Sequence, residues 1–310
     1  MKSRSLIVMV LSVLFLMAAT SLFSAAAGEI ITQTANPEGN FLEFTDSYGR
    51  EVVIASKPIT IISLGPNVTE IIFALGKGGN LIGRTQFCDY PAETASIEAI
   101  GNMQVPNIER IIELNPDIVI ASTHVSLEKV GLLEKAGIAT VGIYNDSTFE
   151  GVYSTIRDIG KVLGESNIAE RLIFEMGITI SDVAKRIAGK SDPTIYYVVG
   201  FGDWGDFTAG GDTFINQMIE MAGGNNIASD VNGWSYSLEK IIEKDPDYII
   251  CSQFWGTKES FELTPNYMDL RAVQEGRLIA IDNNILDRQG YRNAEGVKTL
   301  AQIFHPEAFK

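Results

Sequence analysis

The chain has 310 residues, of which 45% are hydrophobic, and its formal net charge is −15 at pH 7. This length can form two domains with hydrophobic cores, and this apolar fraction is typical of globular proteins rather than disordered ones. The acidic charge excludes nucleic acid as a partner, because phosphate binding needs a basic face. It also disfavours a polyanionic ligand unless a local basic pocket overrides it.

The first 27 residues have the pattern of a secretory signal peptide. Lys2 and Arg4 precede an apolar run over residues 6–19, and Ala25-Ala26-Ala27 provides small residues for cleavage. The alternative is a membrane anchor, but the apolar run is short for a transmembrane span. No cysteine lies near the cleavage site, which argues against a lipid anchor there. We therefore expect a cleaved peptide over residues 1–27.

Residues 28–57 predict a leader and a hairpin, and residues 58–164 then alternate between apolar strands and helices. Strands are predicted over residues 59–64, 81–84, 97–101, 118–121 and 140–144, with helices over 67–75, 107–114, 127–136 and 149–163. Such alternation implies an α/β fold with a mostly parallel sheet covered on both faces. Asn67 is expected to cap the first of these helices.

A long helix is predicted over residues 165–190. Apolar residues recur every three or four positions from Ile168 to Ile187, and no proline interrupts them. Gly189 and Pro193 are expected to end this helix.

Two segments on either side of this helix resemble each other. Residues 108–122 and 238–252 both predict a short helix, a Pro-Asp turn and an apolar strand, and residues 69–76 also match 218–223. Two matches in the same order predict two similar lobes, over residues 58–164 and 191–310, joined by the long helix. Because the connection is itself a helix, we expect the lobes to flex only modestly.

The loops after the predicted strands are rich in aromatic and polar residues. In open α/β sheets, ligands bind beyond the carboxyl ends of the strands, where these loops lie. All three tryptophans of the chain, Trp204, Trp234 and Trp255, fall in loops of the second lobe. Either they pack locally or they contact a ligand, and we favour the ligand.

Five segments of the chain together form a recognisable pattern: Asp46-x-x-Gly49-Arg50, residues 61–76, Asp89-Tyr90-Pro91, Pro116-Asp117 and Ala222-Gly223-Gly224-x-Asn226. This combination resembles one known family, the iron-chelate and vitamin B12 periplasmic binding proteins of ABC importers. The resemblance covers residues 41–310. It implies a periplasmic protein, here expected to be monomeric, with two Rossmann-like lobes joined by one backbone helix. It also implies a cleft ligand and docking onto an inner-membrane permease and its ATPase.

The resemblance also suggests roles for single residues. Glu70 and Glu220 match the family's permease contacts, whereas Tyr90, Trp234 and Arg292 match residues that line the cleft. The loops contribute further candidates. The candidate ligand-binding residues are therefore Tyr90, Met103, His124, Trp204, Trp234, Trp255, Arg288 and Arg292.

Other functions have less support from the sequence. Asn102 and Met103 stand where haem receptors of this family supply a tyrosine ligand, and His124 and His305 are too few for a bare-metal site. Residues 200–205 have the spacing of a dinucleotide fingerprint, but a loop follows instead of a helix, so we expect a flexible aromatic loop. A secreted α/β enzyme is the alternative class; no catalytic motif, catalytic residue or cofactor is predicted.

The ligand is expected to be a cobalt or iron chelate. A corrinoid is favoured because aromatic loops suit a broad, partly apolar molecule, while the acidic chain disfavours a trianionic catecholate. An iron–hydroxamate chelate is the alternative, supported by Arg288 and Arg292. These are the main basic residues expected near the cleft, and pairing of some of them with Asp287 or Asp282 is the competing expectation.

Overall fold

The computed structural model describes residues 39–310, so the predicted signal peptide and most of the leader lie outside the described residues. The described chain begins with the predicted hairpin, in which β1 (Leu42–Thr45) pairs antiparallel with β2 (Glu51–Ile54). Residues 41–310 form one compact unit. Within residues 39–310, no helix is both long and apolar enough to cross a membrane.

The first lobe is built on a four-stranded parallel sheet. Its strands are β3 (Ile61–Leu64), β4 (Leu81–Arg84), β5 (Ile118–Ala121) and β6 (Thr140–Gly142), and they lie in the order β4-β3-β5-β6. Its helices are α1 (Pro66–Ala74), α2 (Ile108–Leu114), α3 (Leu127–Lys135) and α4 (Phe149–Val162), with 3₁₀ turns at Gly78–Asn80 and Ala92–Ser96. Every residue of β3 and β5 is buried, as expected for a parallel sheet with two covered faces.

Two local predictions in this lobe are wrong. Residues 97–101 do not form a strand; they make only two isolated bridges, Arg84 to Ala99 and Gly101 to Pro106. Glu98 and Ala99 are exposed, and Gly101 turns the chain at φ +93°. Asn67 does not cap α1. The capping position is Gly65, and proline stands at the first helical position, where a missing N–H costs nothing.

The second lobe repeats this connection order. Its strands are β7 (Thr194–Tyr197), β8 (Asp206–Phe207), β9 (Asn225–Asn226), β10 (Ser235–Tyr236), β11 (Tyr248–Ser252) and β12 (Leu278–Ile281). β8 and β10 form a separate two-stranded pair, and the other four form a parallel sheet with the order β12-β11-β7-β9. In the four-stranded sheet of each lobe, the second strand along the chain lies on one side of the first, and the third and fourth lie on the other side. The two-lobe α/β architecture predicted from the sequence is confirmed.

One long helix joins the lobes. This helix, α5 (Ser166–Ile187), has 22 residues and is about 33 Å long. It packs against α4 and against the last helix, and a single apolar cluster contains Ile71, Met176 and Leu300 from the first lobe, α5 and the second lobe. The remaining helices are α6 (Phe214–Met221), α7 (Leu238–Lys244), α8 (Thr257–Leu263), α9 (Arg271–Gln274), α10 (Asn284–Asp287) and α11 (Asn293–Phe304), followed by a 3₁₀ turn at Pro306–Phe309.

The repeated segments of the sequence form the same structure in both lobes. In the first, Asp117 Oδ2 accepts a hydrogen bond from Thr60 N at 2.8 Å, and Thr60 Oγ1 accepts one from Asp117 N at 2.9 Å. In the second, Thr194 and Asp247 make the same reciprocal pair, each bond being 2.9 Å long. Each Pro-Asp turn thus ties the third strand of its lobe to the first.

Candidate functional site

The sheet order places a ligand site at the carboxyl ends of the strands. In the first lobe the order in which the strands are connected reverses between the parallel neighbours β3 and β5, and ligands of open α/β sheets bind at such a point. The two strand ends approach so closely here that a Cβ on Gly65 would lie 2.6 Å from Ser122 Cβ. Asn67 is part of this junction, since its Oδ1 accepts a hydrogen bond from Ser122 Oγ at 3.0 Å.

Aromatic side chains form an exposed surface on the second lobe. Trp204 is 92% exposed and Trp234 is 42% exposed, and their loops meet where β8 and β10 pair, with Thr208 N donating to Trp234 O at 2.8 Å. Large apolar groups exposed together to solvent are typical of a surface that binds a ligand or a partner protein. We call Trp204, Phe207, Trp234 and Trp255 the aromatic platform.

The loop that carries Trp204 is anchored at its base. Phe201 packs edge-on against Phe261, with ring centroids 4.8 Å apart, and Tyr267 Oη donates to Asp206 Oδ1 at 2.7 Å. Gly202 N donates to Tyr267 Oη at 3.2 Å. The two-residue strand β8 follows instead of a helix, so the glycine-rich segment lacks the helix N-terminus that a dinucleotide needs.

Trp255 is held in a strained backbone conformation. Its φ is +58°, a region that costs an L-residue roughly 1–2 kcal/mol, and its side chain is 88% exposed. No burial of the ring compensates for this strain. Strained residues cluster at functional sites, which supports a ligand contact for this tryptophan.

An ion network connects the two lobes. Arg288 Nη1 of the second lobe lies 2.7 Å from Glu70 Oε1 and 2.7 Å from Asp89 Oδ1, both in the first lobe. Arg292 Nη1 lies 3.5 Å from the same Glu70 oxygen, and Arg292 Nη2 lies 3.1 Å from Asp282 Oδ2. We call these five residues the inter-lobe ion network. The ring of Tyr90 covers it, with its centroid 4.0 Å from Arg292 Cζ, a cation–π contact.

Burial governs the titration of this network. Desolvation raises the pKa of Glu70, although the two guanidinium groups oppose the change. Burial alone would lower the pKa of Arg288, but its hydrogen bonds to Asp89 and Glu70 outweigh that effect and raise it. The carboxylate therefore depends on its arginines to remain ionised in a buried position.

Two of the predicted roles stay predictions, although burial and ion pairing weigh against them in this conformation. Glu70 was expected to contact the permease, yet its side chain is 2% exposed, so it is not accessible to a partner in this conformation. Arg288 and Arg292 were expected to contact ligand, yet their side chains are 13% and 9% exposed and paired with carboxylates. In each case an ion pair across the lobes occupies the side chain.

The other predicted residues lie in loops or near the end of a helix. His124 is exposed directly after β5, with Nδ1 2.7 Å from Thr123 Oγ1, and Met103 is half-buried in the loop before α2. Glu220 is exposed near the end of α6 and accepts a hydrogen bond from Asn216 Nδ2 at 3.2 Å. Their functional roles stay predictions. Within residues 39–310, no three His, Cys, Asp or Glu side chains are arranged to hold a metal ion.

Sequence reasoning considered Asp282 as a possible partner of these arginines but missed Glu70 and Asp89. One signal was present: Glu70 is the only charged residue in the mainly apolar segment from Val68 to Leu75, and a carboxylate on a buried helix face needs a buried partner. That signal does not say which residue is the partner.

A small groove lies behind Arg292, between α5 and α11. It encloses about 310 Å³ and is bounded by Met176, Tyr291 and Lys298 among others. This is the lower end of the volumes of small-molecule pockets. A metal chelate as broad as a corrinoid is larger, so the strand ends and not this groove are the candidate site.

Comparison with known proteins decides the family. The sequence matches the family described as "Periplasmic binding protein" over residues 61–285. An uncharacterized ABC transporter substrate-binding lipoprotein of Bacillus subtilis is 33% identical over 273 residues, covering 86% of this chain and 86% of that protein. The chain belongs to the periplasmic binding protein family.

Two further relatives are named for their ligands. A cobalamin-binding protein of Halobacterium salinarum is 28% identical to this periplasmic binding protein over 273 residues, covering 84% of the chain and 73% of the relative. The solved structure of the periplasmic heme-binding protein RhuT from Roseiflexus sp. RS-1 has a TM-score of 0.73 at 28% identity, covering 80% of this chain and 98% of that one. The predicted fold and transport class are confirmed.

Proposed function

We propose that this periplasmic binding protein captures a corrinoid between its lobes and delivers it, unchanged, to the permease of an ABC importer. The single observation that carries the proposal is the aromatic platform, whose exposed rings face solvent at the strand ends of the second lobe. The similarity to a cobalamin-binding protein supports it.

The platform suits a broad, flat ligand. Each favourable aromatic pairing adds about 0.5–1.5 kcal/mol beyond the burial of apolar area, so several rings together can provide submicromolar affinity. Tyr90, 39% exposed and backed by Arg292, presents a further ring from the first lobe. A corrinoid is large, rimmed with amides, and neutral or cationic, which matches an acidic chain.

An iron–hydroxamate chelate is the second candidate. Its support was the pair Arg288 and Arg292, and the ion pairs of both residues weaken that support. Haem is a third candidate because a heme-binding protein is a structural neighbour. Residues Asn102 and Met103 argue against haem bound through a tyrosine in that loop.

Titration calorimetry with dicyanocobinamide, hemin and a ferric hydroxamate tests this order. We expect submicromolar binding of the corrinoid, weakened by Trp234→Ala and by Tyr90→Ala. Ile178→Ala, which removes an exposed apolar group from α5, is the control that should bind normally. Heat from a ferric siderophore or from hemin, with none from a corrinoid, would reverse the order. Mass spectrometry of the recovered corrinoid checks that the ligand is released unaltered.

Docking onto the permease needs accessible side chains on both lobes. Glu220 remains one candidate. The internal repeat adds Glu109 and Glu239, which are exposed, each at the second position of its helix, on α2 and α7. Because α2 and α7 are equivalent elements of the two lobes, a partner that contacts both lobes can bind this matched pair.

Transport assays separate the docking candidates. We expect Glu109→Lys with Glu239→Lys to leave corrinoid affinity unchanged and to abolish uptake by cells. Glu220→Lys is tested in parallel, and Glu128→Lys, an exposed acidic residue of α3, is the control. Normal uptake by the first double variant would exclude that pair. N-terminal sequencing of the exported protein tests whether it is cleaved after Ala27. Analytical ultracentrifugation tests whether it is a monomer in solution.

A further inference from the structure

The strand-end segments have an unusual charge distribution. Arg288 and Arg292 are the only Lys or Arg in residues 85–91, 122–126, 143–148, 198–213, 227–237, 253–256 and 282–292. The acidic residues of the same segments are Asp89, Asp146, Asp203, Asp206, Asp212, Asp230, Asp282 and Asp287. The positive charge available to a ligand at the site therefore depends on two side chains.

Both of these arginines are already neutralised. Arg288 is held by Glu70 and Asp89, and Arg292 by Glu70 and Asp282, all at 2.7–3.5 Å. Their side chains are at most 13% exposed, and Tyr90 covers the face of one guanidinium. Three carboxylates against two guanidinium groups leave the network with no excess positive charge.

We infer that Glu70, Asp89 and Asp282 determine specificity: by occupying both arginines, they make the site reject chelates that carry carboxylates or other anionic groups. A ligand anion entering between the lobes would have to displace a protein carboxylate from an arginine or remain unpaired near aspartates. Either alternative costs affinity, because a buried charge without a partner loses its hydration uncompensated. Neutral and cationic chelates avoid this cost. Rejection of a ligand by an unfavourable charge is a recognised source of specificity.

The inference rests on the proposed function only for the identity of the preferred ligand. Independently of that ligand, we infer that removing a carboxylate of the inter-lobe ion network makes an arginine available to an anion. Asp89 is the most informative position, since its side chain is 61% exposed and its removal leaves the buried pair of Glu70 and Arg288 intact. Glu70→Gln removes the shared partner of both arginines.

The experiment measures dissociation constants for hemin, which carries two carboxylates, and for dicyanocobinamide, on the same full-length preparations. We compare the unmodified protein with Asp89→Asn, Glu70→Gln and the double variant. Glu98→Gln is the matched control, because it removes one exposed carboxylate from an ion pair with Arg110, which is not part of the network. We expect Asp89→Asn to shift the ratio of the two constants towards hemin by about tenfold, equivalent to about 1.4 kcal/mol, and the double variant to shift it further.

A ratio in Asp89→Asn equal to that of Glu98→Gln would overturn the inference. If Glu70→Gln fails to fold, the measurement on Asp89→Asn tests the inference by itself. Substitution of this exposed side chain should leave the thermal midpoint almost unchanged. If the unmodified protein binds no corrinoid, the proposed function fails. In that event the specificity inference is judged by whether Asp89→Asn binds hemin more tightly than the unmodified protein and the control.

Discussion

Replacing Arg288 with methionine would expose how strongly the buried Glu70 depends on its partner. The change keeps much of the side-chain volume and removes the charge that lies 2.7 Å from Glu70 Oε1. Glu70 would remain 2% exposed, with Arg292 Nη1 at 3.5 Å as its remaining cation. Asp89, being exposed, would return to water.

The expected loss of stability follows from these distances. Removing one partner of a buried ion pair costs about 3–5 kcal/mol, because the other charge is left buried. Arg292 still attracts Glu70, so we expect the lower end, about 3 kcal/mol. For a chain of this size that corresponds to a decrease in the thermal midpoint of roughly 6–12 °C.

The loss should depend on pH in a definite direction. The pKa of Glu70 is already raised, mainly by burial, and losing Arg288 raises it further. A carboxyl group whose pKa is higher in the folded state favours folding when protonated and loses that contribution as the pH rises through its folded value. The penalty of Arg288→Met should therefore be largest near pH 7.5 and shrink towards pH 5.

Thermal unfolding of the unmodified protein and of Arg288→Met at pH 7.5 and pH 5 measures how the penalty changes with pH. Arg110→Met, which removes the partner of the exposed Glu98, is the control and should change the midpoint little at either pH. A penalty for Arg288→Met that is equal at both values, or larger at pH 5, would refute the argument that an uncompensated buried carboxylate is its cause.

Three further outcomes are expected. Thr194→Val should cost about 1–2 kcal/mol in urea unfolding, because it removes two hydrogen bonds to Asp247. Burial alone would raise the pKa of Asp247, but the hydrogen bonds from Thr194 and Arg271 outweigh this effect and lower the pKa. The cost of Thr194→Val should therefore shrink as the solution becomes acidic, and a cost that grows in acid would contradict this expectation. Trp255→Gly should be more stable than Trp255→Ala by about 1 kcal/mol, since glycine accepts the positive φ, while both lose ligand affinity; equal stability would argue against backbone strain. Scattering curves with and without ligand should nearly overlay, because α5 contains no proline and one apolar cluster spans both lobes, and a large decrease in radius of gyration would contradict this.

The long helix and the lobe topology could be predicted because their signals are local and periodic. The helix predicted over residues 165–190 occupies Ser166–Ile187, and the repeated segments form equivalent helices and strands. The strand predicted over residues 97–101 is wrong. Apolar residues beside the edge of a sheet give the same sequence pattern whether or not they form a strand. The pair β8 and β10 was not predicted, since two residues give no detectable period.

The ion network could not be predicted, because it joins residues that are distant in sequence. Glu70 and Arg288 are separated by 218 positions, and no local pattern records such a pairing. Sequence reasoning selected Arg288 and Arg292 as basic residues near the cleft. It assigned them to a ligand because two of the carboxylates that pair with them, Glu70 and Asp89, come from the other lobe.

The reciprocal Thr–Asp pairs described above have a consequence for how the chain folds. The first closes a loop of 57 residues and the second a loop of 53 residues. The entropy of closing a flexible loop grows only with the logarithm of its length, so the two closures cost almost the same. The entropy of loop closure therefore gives neither lobe an advantage in folding rate. During synthesis, the lobe that emerges first can complete its central strand pairing before the linking helix and the second lobe exist.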